Sequence, residues 1–450
     1  MKILVCAKVC NGALNPFDES ALECALRLSD DVTVISMGPQ STKEILESLT
    51  RLGAKAVLIS DKIYAGSDTL ATSYILAEAI KKYEYDLILC GRQSIDGDTA
   101  QVGPMLAQML GIDVVTNALE VAAADGGLSI SARTGEEKHS LPLLITMERT
   151  YTLRFPSIFS KQRQVEIADN AVIGCDEARC GLNGSPTKVI QTFENESGRR
   201  KCTFISPEEL YPLVERLKKT ERIENKPEHT GKKLKEVWAV GEEVYGKAAE
   251  IAENVVLIEK SSAAQIARRA MEEKPETILW NADLWGRKNA PIAAAILQTG
   301  LCADCTRLET DGEKLFMFRP ARGGNVTAKI VCRTLPQTAT VRTESKSSDI
   351  VVAGGKGIYD KTDKLRELAA KIGGTIGASR GLVDMNRIDY KYQIGLTGKT
   401  ISPLIYIAVG ISGAIQHTCG IEGAKTVIAI NPDKNARIFD YADYGILDSF

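Results

Sequence analysis

The sequence predicts an α/β protein made of three doubly wound units, Rossmann-like or adenine-nucleotide-hydrolase-like, with mostly parallel sheets. Three observations carry this expectation. Short runs rich in Val and Ile recur along the chain, as buried parallel strands require. Segments of helical periodicity separate them, giving the rhythm of βαβ units. The 450 residues exceed what one core accommodates and divide naturally into about three domains.

The elements follow in order. The opening run through Cys6 and Ala7, closed by Lys8, reads as a first strand and not as an export signal. Val32-Thr33-Val34-Ile35-Ser36 is a second strand, ending before Gly38-Pro39. A helix follows, with Ser41 and Glu44 spaced as a capping box and Ile45, Leu46, Leu49 and Leu52 on one face. A strand at 56–59, a helix over 69–82 and a strand at 85–90 complete the first rhythm. Such sheets bind ligands at the carboxyl ends of their strands. Residues 220–233, charged and containing Pro227, read as a solvated linker. A second rhythm starts at Val237-Trp238-Ala239-Val240, residues 315–343 look like β structure, and the last unit has strands near 349–353, 404–409 and 425–430. The expected boundaries are 1–193, an arm and linker at 194–233, 234–345 and 346–450.

Composition excludes several function classes. A net charge of -2 and 6% aromatics give no support to nucleic-acid binding. No apolar run is long enough to cross a bilayer, so membrane insertion is not expected. The eleven scattered cysteines read as reduced thiols in a cytoplasmic protein. Cys302-Ala303-Asp304-Cys305 has metal-like spacing but lacks a second pair, and reads as ordinary thiols, as do Cys175 and Cys180. His139 and His229 read as structural or solvated. No nucleophile–base pair points to hydrolysis.

The stretch 351–445 is the most informative. The strand at 350–353 runs into Gly354-Gly355-Lys356-Gly357, where glycine lets backbone approach a ligand. Gly395-Leu396-Thr397-Gly398-Lys399-Thr400 imitates a P-loop, but Gln393 stands where its first glycine belongs, which rejects an NTPase. Gly377-Ala378-Ser379-Arg380 places a permanent cation on a loop after a strand. The strand at 404–409 leads into 410–417, where the spacing predicts Ser412 and Gln416 on one helix face with His417 adjacent. Asn431 and Asp443 each follow a strand-like run.

These runs, in this order, resemble the alpha-type half of electron-transfer flavoproteins. Arg319-Pro320-Ala321, Gly323-Gly324-Asn325, Ile430-Asn431-Pro432-Asp433 and Ala442-Asp443-Tyr444-Gly445 extend the resemblance over nearly all of 235–450. It implies that Ser379, Arg380, Gln393, Ile394, Gly395, Thr397, Ser412, Gln416, His417, Asn431, Asp443 and Lys356 line an FAD site. Arg380 and His417 would then stabilise negative charge on the reduced flavin ring, and Thr397 would donate to its edge. Ser412 suits the pyrophosphate, Asn431 and Asp443 the adenosine. Lys356 replaces a usual Arg, and Leu396 a usual Gln.

The first 190 residues resemble the beta-type half. The matching runs are Leu4-Val5-Cys6-Ala7-Lys8, Asn15-Pro16-Phe17-Asp18-Glu19, Met37-Gly38-Pro39, Asp68-Thr69 with Thr72, the run 91–104, and 181–187 at the end of the unit. The chain therefore resembles a single-chain fusion. Cys6, Asn15, Met37, Asp68, Thr69, Asp98, Thr99, Ala100, Gln101 and Val102 would surround an adenine nucleotide, with the Thr99-Ala100-Gln101 amides opening a helix onto its phosphates. Its occupant, AMP or a second FAD, stays open. The run 96–104 is closer to electron-bifurcating, NADH-using members, whereas the loop between Lys8 and Asn15 is shorter than usual. The resemblance implies an electron shuttle whose partner is a flavin-dependent dehydrogenase or an iron–sulfur redox protein, docking on 153–159. A simple AMP-plus-FAD carrier without bifurcation and a non-redox nucleotide-binding module are the alternatives. A hinge near 343–348 would let the last domain swivel.

Overall fold

Lys2–Cys6, apolar on both faces, forms the middle of a nine-stranded sheet between Asp31–Met37 and Leu87–Gly91, parallel to both. The register sets Cys6 beside Ile35 on one side and Cys90 on the other. Lys55–Ile59 and then Glu166–Ala168 extend one wing, and Leu143–Met147 and Asp113–Ala124 the other, all parallel to their neighbours. Gly127–Ala132 and Gly135–His139 add an antiparallel edge. Because the central strands run the same way, their carboxyl ends open on one edge, as expected for this class of sheet. The computed structural model describes residues 1–194, 200–219, 231–321, 326–343 and 348–450.

Helices Pro16–Leu28, Lys43–Thr50, Thr69–Ile80 and Val102–Leu110 cover the two faces of this sheet, and an apolar core lies under each layer. The capping box expected at Ser41 and Glu44 does not form. The short turn Gln40–Thr42 runs directly into Lys43–Thr50, whose start at Thr42 has no side-chain cap. Ser41 lies inside the turn that opens after Pro39, so it does not stand at a helix start. The helix expected over 69–82 ends at Ile80.

A second parallel sheet has the order Ala252–Ile258, Leu234–Val240, Thr277–Asn281, Gln337–Val341, Leu301–Cys305. Arg307–Thr310 pairs antiparallel with Leu315–Ala321 beside it. Met1–Thr192, Gly231–Arg322 and Ala328–Arg342 form one compact unit. Within it, Leu70 and Met105 of the first layer share a core with Trp238, Trp280 and Ala294 of the second.

The second compact unit comprises Phe193–Thr230, Gly323–Thr327 and Thr343–Phe450. Its six-stranded sheet runs Thr203–Phe204, Tyr444–Ile446, Thr426–Ile430, Ile405–Val409, Ile350–Gly354, Thr375–Ala378, all parallel. Helix Leu210–Lys218 puts Leu210, Leu213 and Val214 into the core of this unit. Several expectations fall outside the described residues: most of the linker at 220–233 with His229, the motif Gly323-Gly324-Asn325, 195–199 of the charged arm, and 344–347 of the hinge. Among the described residues no helix is long and apolar enough to cross a membrane.

Candidate functional site

A cavity of about 820 Å³ opens at the carboxyl ends of Lys2–Cys6, Asp31–Met37, Lys55–Ile59 and Leu87–Gly91. Of the residues expected around a nucleotide in this half, Cys6, Asn15, Met37, Asp68, Thr69, Thr99, Ala100, Gln101 and Val102 all line it. Ile35, Ile59 and Leu76 join Met37 in an apolar lining. Burial pushes the Cys6 thiol up to about 12, so it faces the cavity uncharged.

The loop that precedes helix Val102–Leu110 has an unusual backbone. Asp98 and Ala100 both adopt left-handed φ values, 50° and 55°. Asp98 does not line the cavity; its carboxylate accepts a hydrogen bond from Gln93 Nε2 at 2.9 Å. Thr69 Oγ1 donates to Gln101 Oε1 at 2.7 Å, tying the loop to the start of the preceding helix Thr69–Ile80. Lys8 Nζ reaches Asp96 at 2.6 Å on the rim. Asp68 touches the cavity, yet its carboxylate serves the protein. It accepts from the Leu70 and Ala71 amides as the cap of Thr69–Ile80, and from the Thr187 amide and hydroxyl.

Sequence reasoning gave Asp18 no role, although it lies in the Asn15-Pro16-Phe17-Asp18 run. Its carboxylate lines the cavity and accepts the Lys8 amide at 2.7 Å and the Gly91 amide at 2.9 Å, so it clips two strand ends together. Burial pushes this carboxyl up to about 7, against the pull of those hydrogen bonds. Gly91 is required here: a Cβ would fall 2.3 Å from Asp18 Oδ1. The signal was an acidic residue in the first turn of a helix, ordinary by itself.

The second constellation forms in the C-terminal unit, again at strand carboxyl ends. Gly355 follows Ile350–Gly354, and a Cβ on it would lie 2.1 Å from the Gly410 carbonyl, so two loops meet with no room for a side chain. Lys356 is exposed at the start of Lys356–Ile358, with its Cβ near Gly381. Ser379 begins the helical turn Arg380–Asp384, where Arg380 Nε pairs with Asp384 at 3.1 Å. Gln393 Nε2 donates to Thr397 Oγ1 at 2.7 Å, both buried. The Ile394 amide bonds to the Ala378 carbonyl at 2.9 Å, and the Leu396 amide to the Gln416 carbonyl at 2.6 Å. Gly395, at φ 125°, permits that approach.

His417 is buried, with Nε2 2.6 Å from the Tyr406 hydroxyl. Burial pushes the ring pKa down to about 4, with the Ile394 backbone opposing in part. Nδ1 completes no hydrogen bond of good geometry. A buried polar atom without a partner, beside glycines that keep backbone bare, fits a ligand edge.

Two expectations are corrected. Ser412 does not share a helix face with Gln416: the helix is Ile415–Thr418, and Ser412 lies exposed in the preceding loop. Gly413, at φ 85° and pressed on the backbone of Arg437 and Ile438, breaks the helical run. Asp443 precedes the strand Tyr444–Ile446 and follows the turn Arg437–Tyr441, not a strand. Its carboxylate pairs with Arg200 at 2.5 Å and accepts the Val427 amide at 2.8 Å. Asn431 does follow a strand, and its Nδ2 donates to the Ile411 carbonyl at 2.9 Å.

Residues 3–146 and 242–364 match the electron transfer flavoprotein domain, and residues 345–422 match the electron transfer flavoprotein FAD-binding domain. The chain belongs to the electron transfer flavoprotein family. It is similar to electron transfer flavoprotein subunits of both kinds. One is subunit beta from Megasphaera elsdenii, 42% identical over 201 residues, covering 40% of this chain and 74% of that protein. Another is subunit alpha from Thermoanaerobacterium thermosaccharolyticum, 40% identical over 232 residues, covering 41% of this chain and 70% of that protein. Protein FixA from Azorhizobium caulinodans is 37% identical over 239 residues, with 47% and 85% covered. The likeness to both subunits accords with a beta–alpha fusion. This electron transfer flavoprotein thus has an FAD-binding domain in its C-terminal unit, where the glycine contacts and the buried His417 nitrogen fit such a group.

Proposed function

We propose that this electron transfer flavoprotein holds FAD among Ser379, Arg380, Gln393, Thr397, Gln416, His417 and Asn431, and a second FAD in the N-terminal cavity. Residues 1–193 act as the beta-type half and 234–450 as the alpha-type half. Bound FAD supplies one-electron chemistry; the chain supplies the surroundings. Arg380 sets a cation near the ring, and Thr397 and His417 offer hydrogen bonds to it. The observation that carries the second-FAD reading is the cavity. Its volume of about 820 Å³ lies toward the upper end of the range for ligand sites. AMP, which lacks the flavin half, leaves much of that space unfilled. Two flavins make an NADH-oxidising, bifurcating cycle the reading we favour over a simple carrier. Extraction of the purified protein, with mass identification and counting of the nucleotides, tests this. Two FAD per chain support it; one FAD and one AMP overturn the second-flavin reading.

A docking segment supports electron delivery to a flavin-dependent dehydrogenase or an iron–sulfur protein. Phe155, Ile158 and Phe159 are 94%, 85% and 86% exposed. Arg154 pairs with Glu23 at 2.9 Å, and Arg51 donates to the Ser157 and Ser160 carbonyls, so the segment is anchored while its apolar tips face outward. Alanine at Ile158 and Phe159 should slow electron delivery with flavin content unchanged; lost flavin would contradict the docking role.

A further inference from the structure

The loop of Thr99, Ala100 and Gln101, which lines the cavity, is held from outside its own sheet. Asp98 and Ala100 adopt left-handed backbone conformations, which residues carrying a Cβ disfavour. Something must hold them. Arg319, on the strand Leu315–Ala321, is 5% exposed, and its Nη2 donates to the Asp98 carbonyl at 2.9 Å. Three residues further on, Gln101 Nε2 donates to the Leu301 carbonyl at 3.0 Å. Both anchors come from the part of the same compact unit that follows residue 231. Arg319 neighbours an ion cluster built on Asp304. Arg287 grips Asp304 with Nε and Nη2 at 3.0 and 2.9 Å, and Arg342 Nη2 reaches it at 3.1 Å. Two guanidiniums thus hold the Asp304 carboxylate, and the charge of Arg319 also acts on it.

We propose that Arg319 is a positioning residue for the nucleotide loop. It touches no nucleotide; by holding the Asp98 carbonyl it fixes the turn that aims the Thr99, Ala100 and Gln101 amides at a phosphate. Filling of the cavity is thereby tied to the packing of a strand more than two hundred residues away in the chain. The inference rests on the adenine-nucleotide reading of the cavity, and it adds a specificity. Arg319 acts on the phosphate end of the ligand and leaves the adenosine end alone.

The test uses the full chain stripped of its nucleotides, with adenosine and AMP as probes in calorimetric titrations. Arg319→Lys keeps a cation but loses the planar reach to the carbonyl, and Arg319→Gln keeps a donor without charge. We expect AMP to bind about ten- to a hundredfold more weakly to Arg319→Lys, as for a lost hydrogen bond from a charged donor. Adenosine affinity should change less than threefold, roughly the spread of a neutral substitution. Equal AMP binding by wild type and both variants overturns the inference. So does parallel loss of adenosine and AMP, or loss of cooperative unfolding in both variants, since Arg319 is then a packing residue. A wild-type protein that binds neither probe in this cavity overturns the adenine-nucleotide reading itself, a result separable from the others.

Discussion

The Tyr406 hydroxyl lies 2.6 Å from Nε2 of His417, both side chains buried in the C-terminal unit. Tyr406 sits on Ile405–Val409, at the centre of the sheet, so its position is fixed by pairing on both sides. When the hydroxyl donates to Nε2, the ring proton resides on Nδ1, which completes no good hydrogen bond among the described residues. On the proposed assignment of His417 to the FAD site, that tautomer would leave Nδ1–H as the group to donate to a flavin edge. Tyr406→Phe removes the hydroxyl and leaves a buried ring nitrogen without its partner. We expect a loss of about 1–3 kcal/mol in the unfolding of the C-terminal unit, measured by denaturant titration. An unchanged midpoint would show the contact to be energetically idle.

Two buried titratable groups give opposite pH trends. Burial holds the His417 pKa down at about 4, below its unfolded value near 6.5. The unfolded chain therefore takes up the proton first. Stability from this group is full above pH 6.5 and falls as pH drops toward 4, by about 3 kcal/mol in all. Asp18 behaves in reverse. Its folded pKa of about 7 lies above the unfolded 3.8, so its contribution is full below pH 3.8 and is lost as pH rises through 7. Stability curves of His417→Gln and Asp18→Asn, each subtracted from wild type, should slope in opposite directions between pH 4 and 7. Two slopes of the same sign would refute the assignment for one of the groups.

The rhythm of strands and helices was legible because buried parallel strands must be apolar on both faces. Runs such as Ile350–Gly354 and Ile405–Val409 therefore stand out without any partner. The cavity lining was legible through long motif runs, not through single residues. Asp18 was not, because its role is to join amides 10 and 73 residues away, which local pattern does not encode. Arg319 lay in a recognisable motif, but its partner Asp98 is 221 residues distant. Ser412 was misplaced because helical spacing ignored Gly413, whose positive φ ends the periodicity.

Asp68 lines the cavity, but we expect its substitution to act first on folding. Its Oδ1 caps Thr69–Ile80 through the Leu70 and Ala71 amides, and its Oδ2 holds Thr187 at two points. Asp68→Ala should destabilise the N-terminal unit by about 1–2 kcal/mol from the lost cap alone, with more from the released Thr187. Asp68→Asn, which keeps one acceptor oxygen, should fall between. Thermal unfolding of the nucleotide-free protein checks this. A drop in nucleotide binding at unchanged stability would instead make Asp68 a ligand-contacting group.

If Arg380 borders the FAD as proposed, it offers a graded test of the electrostatics there. Its guanidinium shares its charge with Asp384, one turn along the same short helix, at 3.1 Å. A cation 4 Å from a developing negative charge is worth about 4 kcal/mol at an effective dielectric constant of 20. The carboxylate and partial solvent exposure both reduce that figure. Arg380→Ala should therefore lower the potential at which the flavin takes its first electron. Asp384→Asn should raise it, because a carboxylate charge beside the guanidinium is then removed. A redox titration of both variants against wild type reads the two shifts directly. Opposite signs support a charge effect; equal downward shifts would mean that both substitutions merely disturb the turn at 380–384.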